Sequence, residues 1–83
     1  MNPAKLSDLL TENEINLFKI NEFMPYKLIS LCDIKITDLY KISIALLPII
    51  YPNGLILESK SIVCIGWEFL TQRAIEKNVS LFY

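Results

Sequence analysis

A stretch of twenty residues, Ser59 to Asn78, has the length, apolar density and end signals of a single helix. At 3.6 residues per turn, its apolar side chains cover one broad face and leave a narrow polar strip. The face comprises Ile62, Val63, Gly66, Trp67, Leu70 and Ala74, widened by Ile65 and Phe69, and the strip comprises Ser61, Glu68, Gln72 and Glu76. A surface helix is apolar over roughly 100°. The wider face here predicts a central helix that other elements cover on more than one side.

The ends and the middle of this stretch carry further signals. Ser59 or Ser61 can cap the N-terminal N–H groups, while cations such as Arg73 and Lys77, together with Asn78, suit the C-terminal end. Gly66 is unfavourable in a helix interior by about 1 kcal/mol relative to Ala. We therefore expect a close crossing by a neighbouring backbone at Gly66, with a functional hinge as the alternative.

The first third of the chain predicts short helices. Asn2-Pro3 can begin a helix that runs to Leu10, since Pro is tolerated at the first helical position. Thr11 and Glu14 have the spacing of a capping box, which predicts a new helix that Pro25 ends. A further short helix is expected over 25–32, followed by an extended piece or a connection over 33–36.

The middle of the chain is more ambiguous. Thr37-Asp38 predicts the N-cap of a helix with apolar residues at helical spacing, although the β-branched residues within 42–46 leave a strand as an alternative. Pro48 and Pro52 bracket a segment interpreted as a rigid apolar link, and Asn53-Gly54 predicts a turn.

These patterns predict an all-α fold, with residues 1–83 forming a single helical domain of four to five helices. The alternative is an α+β fold in which strands at 55–57 and 79–83 flank the long helix. The first half of the chain supplies few strands to extend such a sheet, so helical packing is favoured. The apolar tail over 81–83 is expected to dock on its own domain, with a contact to another chain as the alternative.

Composition argues against catalysis. The chain has no histidine, two glycines, and carboxylates spread along helix starts and outer faces, so we expect no catalytic residues, no metal site and no cofactor. Trp67 is interpreted as a core anchor, with a ligand platform as the alternative. A net charge of -1 with scattered Lys and Arg disfavours nucleic acid.

Cysteine usage and apolar runs suggest an intracellular protein. Cys32 and Cys64 lack paired metal-site spacing and are expected to be buried free thiols, with a disulfide as the alternative. No signal peptide is recognisable at the start of the chain, and no apolar run approaches the roughly 20 residues needed to span a bilayer. The sequence therefore predicts a cytoplasmic protein that is not transmembrane.

Two segments resemble those of a known family. One is Asn21-Glu22-Phe23-Met24-Pro25 followed by Tyr26-Lys27-Leu28, and the other is Leu47-Pro48-Ile49-Ile50-Tyr51-Pro52 ahead of the long helix. In this order they are similar to the C-terminal part of the SctK (OrgA/MxiK) family of type III secretion accessory proteins. The resemblance implies the C-terminal part of a longer, non-enzymatic scaffold, cytoplasmic and peripheral at the inner membrane. Its partners would be the cytosolic domain of the secretion ring and the sorting-platform protein.

An apolar content of 53% with 20% charged residues independently favours burial against a protein partner. Two other functions stay open. One is a small inhibitor or immunity-type protein that binds a toxin, for which the acidic stretch from Asp8 to Glu14 is the only candidate surface. The other is a helix-turn-helix regulator, which the apolar character of the best helix disfavours.

Overall fold

The computed structural model describes residues 5–19, 34–56 and 59–81, and within them the chain forms four helices. These are α1 (Leu6–Leu9), α2 (Glu12–Lys19), α3 (Ile36–Ile50) and α4 (Ile62–Lys77). The described residues contain no strand, so the all-α prediction is confirmed there and the strand alternatives at 42–46, 55–56 and 79–81 are wrong. The helix predicted over 25–32 lies outside the described residues.

Helix α4 is the long helix that the sequence predicts, and its ends have the predicted caps. The Ser61 side chain accepts a hydrogen bond from the Cys64 N–H at 3.2 Å. At the other end Asn78 is left-handed, with φ 54° and ψ 46°. Its N–H and that of Val79 donate to the carbonyls of Ile75 and Ala74. This pair of bonds is the Schellman arrangement, which satisfies carbonyls that the helix leaves open.

The capping box at the start of α2 is also confirmed. The Thr11 N–H donates to Glu14 Oε1 at 2.9 Å, and the Glu14 N–H donates to Thr11 Oγ1 at 3.3 Å. Helix α1 begins in a related way, because the Lys5 N–H donates to the Asp8 carboxylate. Three side chains, those of Asp8, Thr11 and Glu14, therefore satisfy N–H groups that the first turns of α1 and α2 would otherwise expose.

Helix α3 differs from the prediction at both ends. It begins at Ile36 after Lys35, so Thr37 and Asp38 lie in its first turn and do not form the N-cap. It continues through Pro48 to Ile50, which corrects the interpretation of 49–51 as a link. Proline removes one N–H but keeps φ near the helical value, and the Tyr51 N–H still bonds to the Leu47 carbonyl at 2.8 Å. The last turn of the helix is therefore retained.

The core lies between α1, α3 and α4, with α3 against α4 as the principal helix pair. Its buried side chains form one cluster comprising Leu6, Leu9, Leu10, Leu39, Ile42, Leu46, Leu70, Ala74 and Leu81. Burial of one such side chain contributes about 1.5–3 kcal/mol. Leu81 belongs to this cluster, so the C-terminal tail docks on its own domain up to that residue. Ile65 of α4 is also buried.

Gly66 marks a close approach of α4 to α3. A Cβ atom placed on Gly66 would collide with the Ser43 side chain and would lie 2.9 Å from the Ser43 Cα. Ser43 is fully buried and its hydroxyl donates to the Leu39 carbonyl at 2.7 Å. The predicted backbone crossing at Gly66 is therefore confirmed, with Ser43 as the neighbour.

Candidate interaction surface

Helix α3 is apolar on two different sides. One side is buried in the core and comprises Leu39, Ile42, Ser43 and Leu46. On a helical projection the other side comprises Ile36, Tyr40, Ile44, Leu47, Pro48 and Tyr51, which we call the α3 stripe. Its side chains are half-buried or exposed, with exposed fractions of 66% at Ile36, 48% at Tyr40 and 41% at Ile44. A helix that is apolar on nearly all sides is normally buried on nearly all sides.

Two grooves run along the α3 stripe. The N-terminal groove has a volume of about 460 Å³ and lies between the first turns of α3 and Val63 of α4. The C-terminal groove, of about 350 Å³, lies between the last turns of α3 and the connection that follows, including Ile56. Ile56 is 47% exposed and Leu55 is 63% exposed. The connection therefore extends the apolar surface beyond the helix. Contiguous exposed apolar surface of this kind is typical of protein contact sites.

Charge is distributed unevenly along the α3 stripe. Lys35 and Lys41 are exposed near its beginning, and Asp38 is half-buried at the same end. Residues 42–50 carry no charged side chain. The centre and the far end of the stripe are therefore apolar, a pattern found at the centres of protein interfaces, where charged residues are depleted.

A separate polar cluster joins α2 to α4. Arg73 makes two parallel hydrogen bonds to the Glu14 carboxylate, at 2.7 and 2.8 Å, and a third to the Leu9 carbonyl at 3.1 Å. The Arg73 guanidinium also lies 4.8 Å from the centre of the Phe69 ring, a cation–π geometry. The Glu14 and Arg73 side chains are only 15% and 19% exposed. This bidentate pair is well shielded from solvent.

The same pair perturbs the ionisation of both groups. The hydrogen bonds from Arg73 lower the pKa of Glu14 from 4.5 to about 2, against a smaller opposing effect of burial, and the bonds from Thr11 act in the same direction as Arg73. The Glu14 carboxylate in turn raises the pKa of Arg73. A carboxylate held ionised by a bidentate arginine and by a capping box is a poor proton acceptor near neutral pH. We therefore assign Glu14 and Arg73 a structural role.

The residues singled out in the sequence fall into different environments. Trp67 is half-buried and packs against the core, consistent with an anchor at the edge of the core. Cys64 is exposed, so the expectation of a buried thiol at this position is wrong. It lies on the outer side of α4 together with Glu68 and Ile75, turned away from α3. Cys32 lies outside the described residues.

The α3 stripe was not identified as a site from the sequence. The excess of apolar residues indicated that some surface should be covered by a partner, but it did not indicate which surface. The spacing of Ile36, Tyr40 and Ile44, four residues apart, was a usable signal. This spacing could be recognised as one side of a helix only once α3 was known to begin at Ile36.

Comparisons of the chain with protein-family models, curated proteins and solved structures give no match. Within the described residues, no helix is both long and apolar enough to span a membrane.

Proposed function

We propose that this chain is a non-enzymatic protein-binding module of a larger assembly and that the α3 stripe is its contact surface. The observation that carries the proposal is the second apolar side of α3, which is exposed at Ile36, Tyr40 and Ile44 and half-buried at Leu47 and Tyr51. Burial of this surface by a protein partner removes apolar area from water at a gain of about 25 cal/mol per Å². Mechanistically, the module acts by equilibrium binding.

The narrower proposal is a scaffold of a bacterial type III secretion system, located in the cytoplasm, which links the inner-membrane ring to the sorting platform. The resemblance to the SctK family supports it, through the apolar segment 47–52 that precedes the long helix α4. The segment 21–28, which carries the other half of the resemblance, lies outside the described residues. An apolar contact surface fits a permanent assembly subunit, because permanent interfaces are the more hydrophobic class.

The test compares proteins recovered with three forms of the tagged chain from the cell that produces it. The forms are the wild type, Ile44→Glu in the α3 stripe, and Ile75→Glu as a matched control on α4. Ile75 is 73% exposed and lies outside the stripe. Ile75→Glu therefore makes the same isoleucine-to-glutamate change at a different place on the surface. We expect the wild type and Ile75→Glu to recover the same identified partners and Ile44→Glu to lose them.

Two results separate the broad proposal from the narrow one. Recovery of a secretion-ring or sorting-platform protein, lost with Ile44→Glu, supports the secretion scaffold. Recovery of a different protein that is likewise lost with Ile44→Glu supports the binding module and contradicts the role in secretion. Equal recovery by all three forms refutes the α3 stripe as the contact surface.

A further inference from the structure

The turn that follows α3 contains the one asparagine of the chain that precedes a glycine, Asn53-Gly54. The turn runs from Tyr51 to Gly54 and is closed by a hydrogen bond from the Gly54 N–H to the Tyr51 carbonyl at 2.9 Å. Proline in the second position and glycine in the fourth suit a β-turn. Asn53 and Gly54 are both exposed, so water has access to the side-chain amide and to the peptide bond that joins the pair.

This pair holds the two groups of an intramolecular reaction. The amide carbon of an asparagine side chain is an electrophile, and the main-chain nitrogen of the next residue can reach it by closing a succinimide ring. A side chain on that next residue hinders the approach. Gly54 has none, and the position that its Cβ would take has no neighbouring atom within 4 Å. The rest of the fold therefore does not crowd the attacking nitrogen.

We propose that Asn53 is a site of spontaneous deamidation. The Gly54 nitrogen attacks the Asn53 Cγ and gives its proton to solvent, and the side-chain nitrogen leaves as ammonia. Water then adds to either carbonyl of the succinimide ring and opens it. One opening gives aspartate, and the other gives isoaspartate, in which the main chain continues through the former side chain. Asparagine is one of the thermolabile residues of proteins, and this reaction needs only the chain and water.

The hydrogen bond of the turn sets the rate in the folded chain. The Gly54 N–H must lose its proton, and the Tyr51 carbonyl holds that proton in the closed turn. The net contribution of one such hydrogen bond corresponds to a factor of about 2–13 in an equilibrium constant. Turns exposed to solvent open locally without unfolding of the domain. The closed turn therefore slows deamidation by about that factor relative to the unfolded chain, and it does not prevent the reaction.

The products change the rim of the C-terminal groove. Pro52 and Gly54, the neighbours of Asn53, both line this groove, and residues 42–57 carry no charged side chain. Deamidation adds a carboxylate to this uncharged stretch. Isoaspartate also lengthens the main chain ahead of Gly54 by one carbon, which removes the geometry of the closing hydrogen bond. The modification is independent of the proposed function, because it needs no partner.

Peptide mapping by mass spectrometry tests the proposal on the purified full chain, incubated at mildly alkaline pH with and without urea. We expect Asn53 to convert progressively to isoaspartate and aspartate in the folded chain, and about 2–13 times faster in urea, where the turn is open. Asn78 is the internal control. It is also exposed, but it precedes the β-branched Val79, whose N–H donates to the Ala74 carbonyl at 3.0 Å. Asn78 should stay unchanged.

Two variants establish the chemistry at Asn53. Asn53→Gln should abolish the acidic product that ion-exchange chromatography resolves, because glutamine would have to close a larger ring. Gly54→Ala, compared with the wild type in urea so that the positive φ of Gly54 has no influence, should react several-fold more slowly. Asn53 that stays intact in the folded chain while it reacts in urea would overturn the proposal. Equal conversion of Asn53 and Asn78 would also overturn it, because the reaction would then not depend on Gly54.

Discussion

Replacement of Gly66 by Ala tests the helix crossing on which the fold depends. The added Cβ would overlap the Ser43 side chain and lie 2.9 Å from the Ser43 Cα. A side chain can change rotamer, but a backbone atom moves only with its helix. Ser43 is also fully buried and hydrogen-bonded to the Leu39 carbonyl. The two helices must therefore separate to accept one methyl group.

Two opposing effects decide how much Gly66→Ala changes the free energy of unfolding. Alanine is favoured over glycine in a helix interior by about 1 kcal/mol. Overpacking of a core usually costs about 1–3 kcal/mol, sometimes more, and contact with a buried backbone atom falls at the upper end of that range. We expect a net loss of about 1–2 kcal/mol in the free energy of unfolding. For a domain of this size, each kcal/mol corresponds to a fall in Tm of roughly 4–8 °C.

The assay is thermal and urea unfolding followed by circular dichroism, arranged as a double-mutant cycle. Ser43→Gly removes two of the three atoms that the new methyl group would meet. We therefore expect Gly66→Ala to cost less in the Ser43→Gly background than in the wild type. Gln72→Ala, at an exposed position of the same helix, is the control and should be nearly neutral. An increase in Tm for Gly66→Ala in the wild-type background would refute the close crossing.

Three further predictions concern other parts of the fold. Glu14→Gln should cost about 2–3 kcal/mol at pH 7, because the folded pKa of about 2 lies well below the ordinary 4.5. The stabilisation that the ionised Glu14 adds to the free energy of unfolding is complete above about pH 4.5 and is lost as the pH falls towards 2. Urea unfolding should therefore show the wild type and Glu14→Gln converging over this range, and a constant difference would contradict the ion pair. Trp67→Ala should cost about 3 kcal/mol, the lower end of the range for large core residues because Trp67 is only half-buried; an unchanged Tm would place Trp67 outside the core. Asn78→Val should cost about 1–2 kcal/mol and Asn78→Gly should be neutral or stabilising, since Asn78 is left-handed; equal Tm values for the two variants would contradict this.

Much of the local structure could be predicted because its signals lie within a few residues of one another. The Thr11–Glu14 capping box, the Ser61 cap and the left-handed Asn78 each depend on bonds that span three to five residues. Gly66 could be linked to a helix crossing because glycine inside an apolar helix is otherwise unfavourable. The sequence alone thus predicted the existence of α4 and its C-terminal cap at Asn78, although it placed the first residue at Ser59 and the helix begins at Ile62.

Which residues contact one another across the fold depended on the path of the chain. Arg73 was interpreted as a cation at a helix end, yet it pairs with Glu14, 59 positions earlier. The exposure of Cys64 depends on which side of α4 faces α3. Both sides of α3 are apolar, so hydrophobic pattern could not decide which side enters the core. The tertiary structure made that choice through the close fit of Gly66 against Ser43, and it thereby left the α3 stripe exposed.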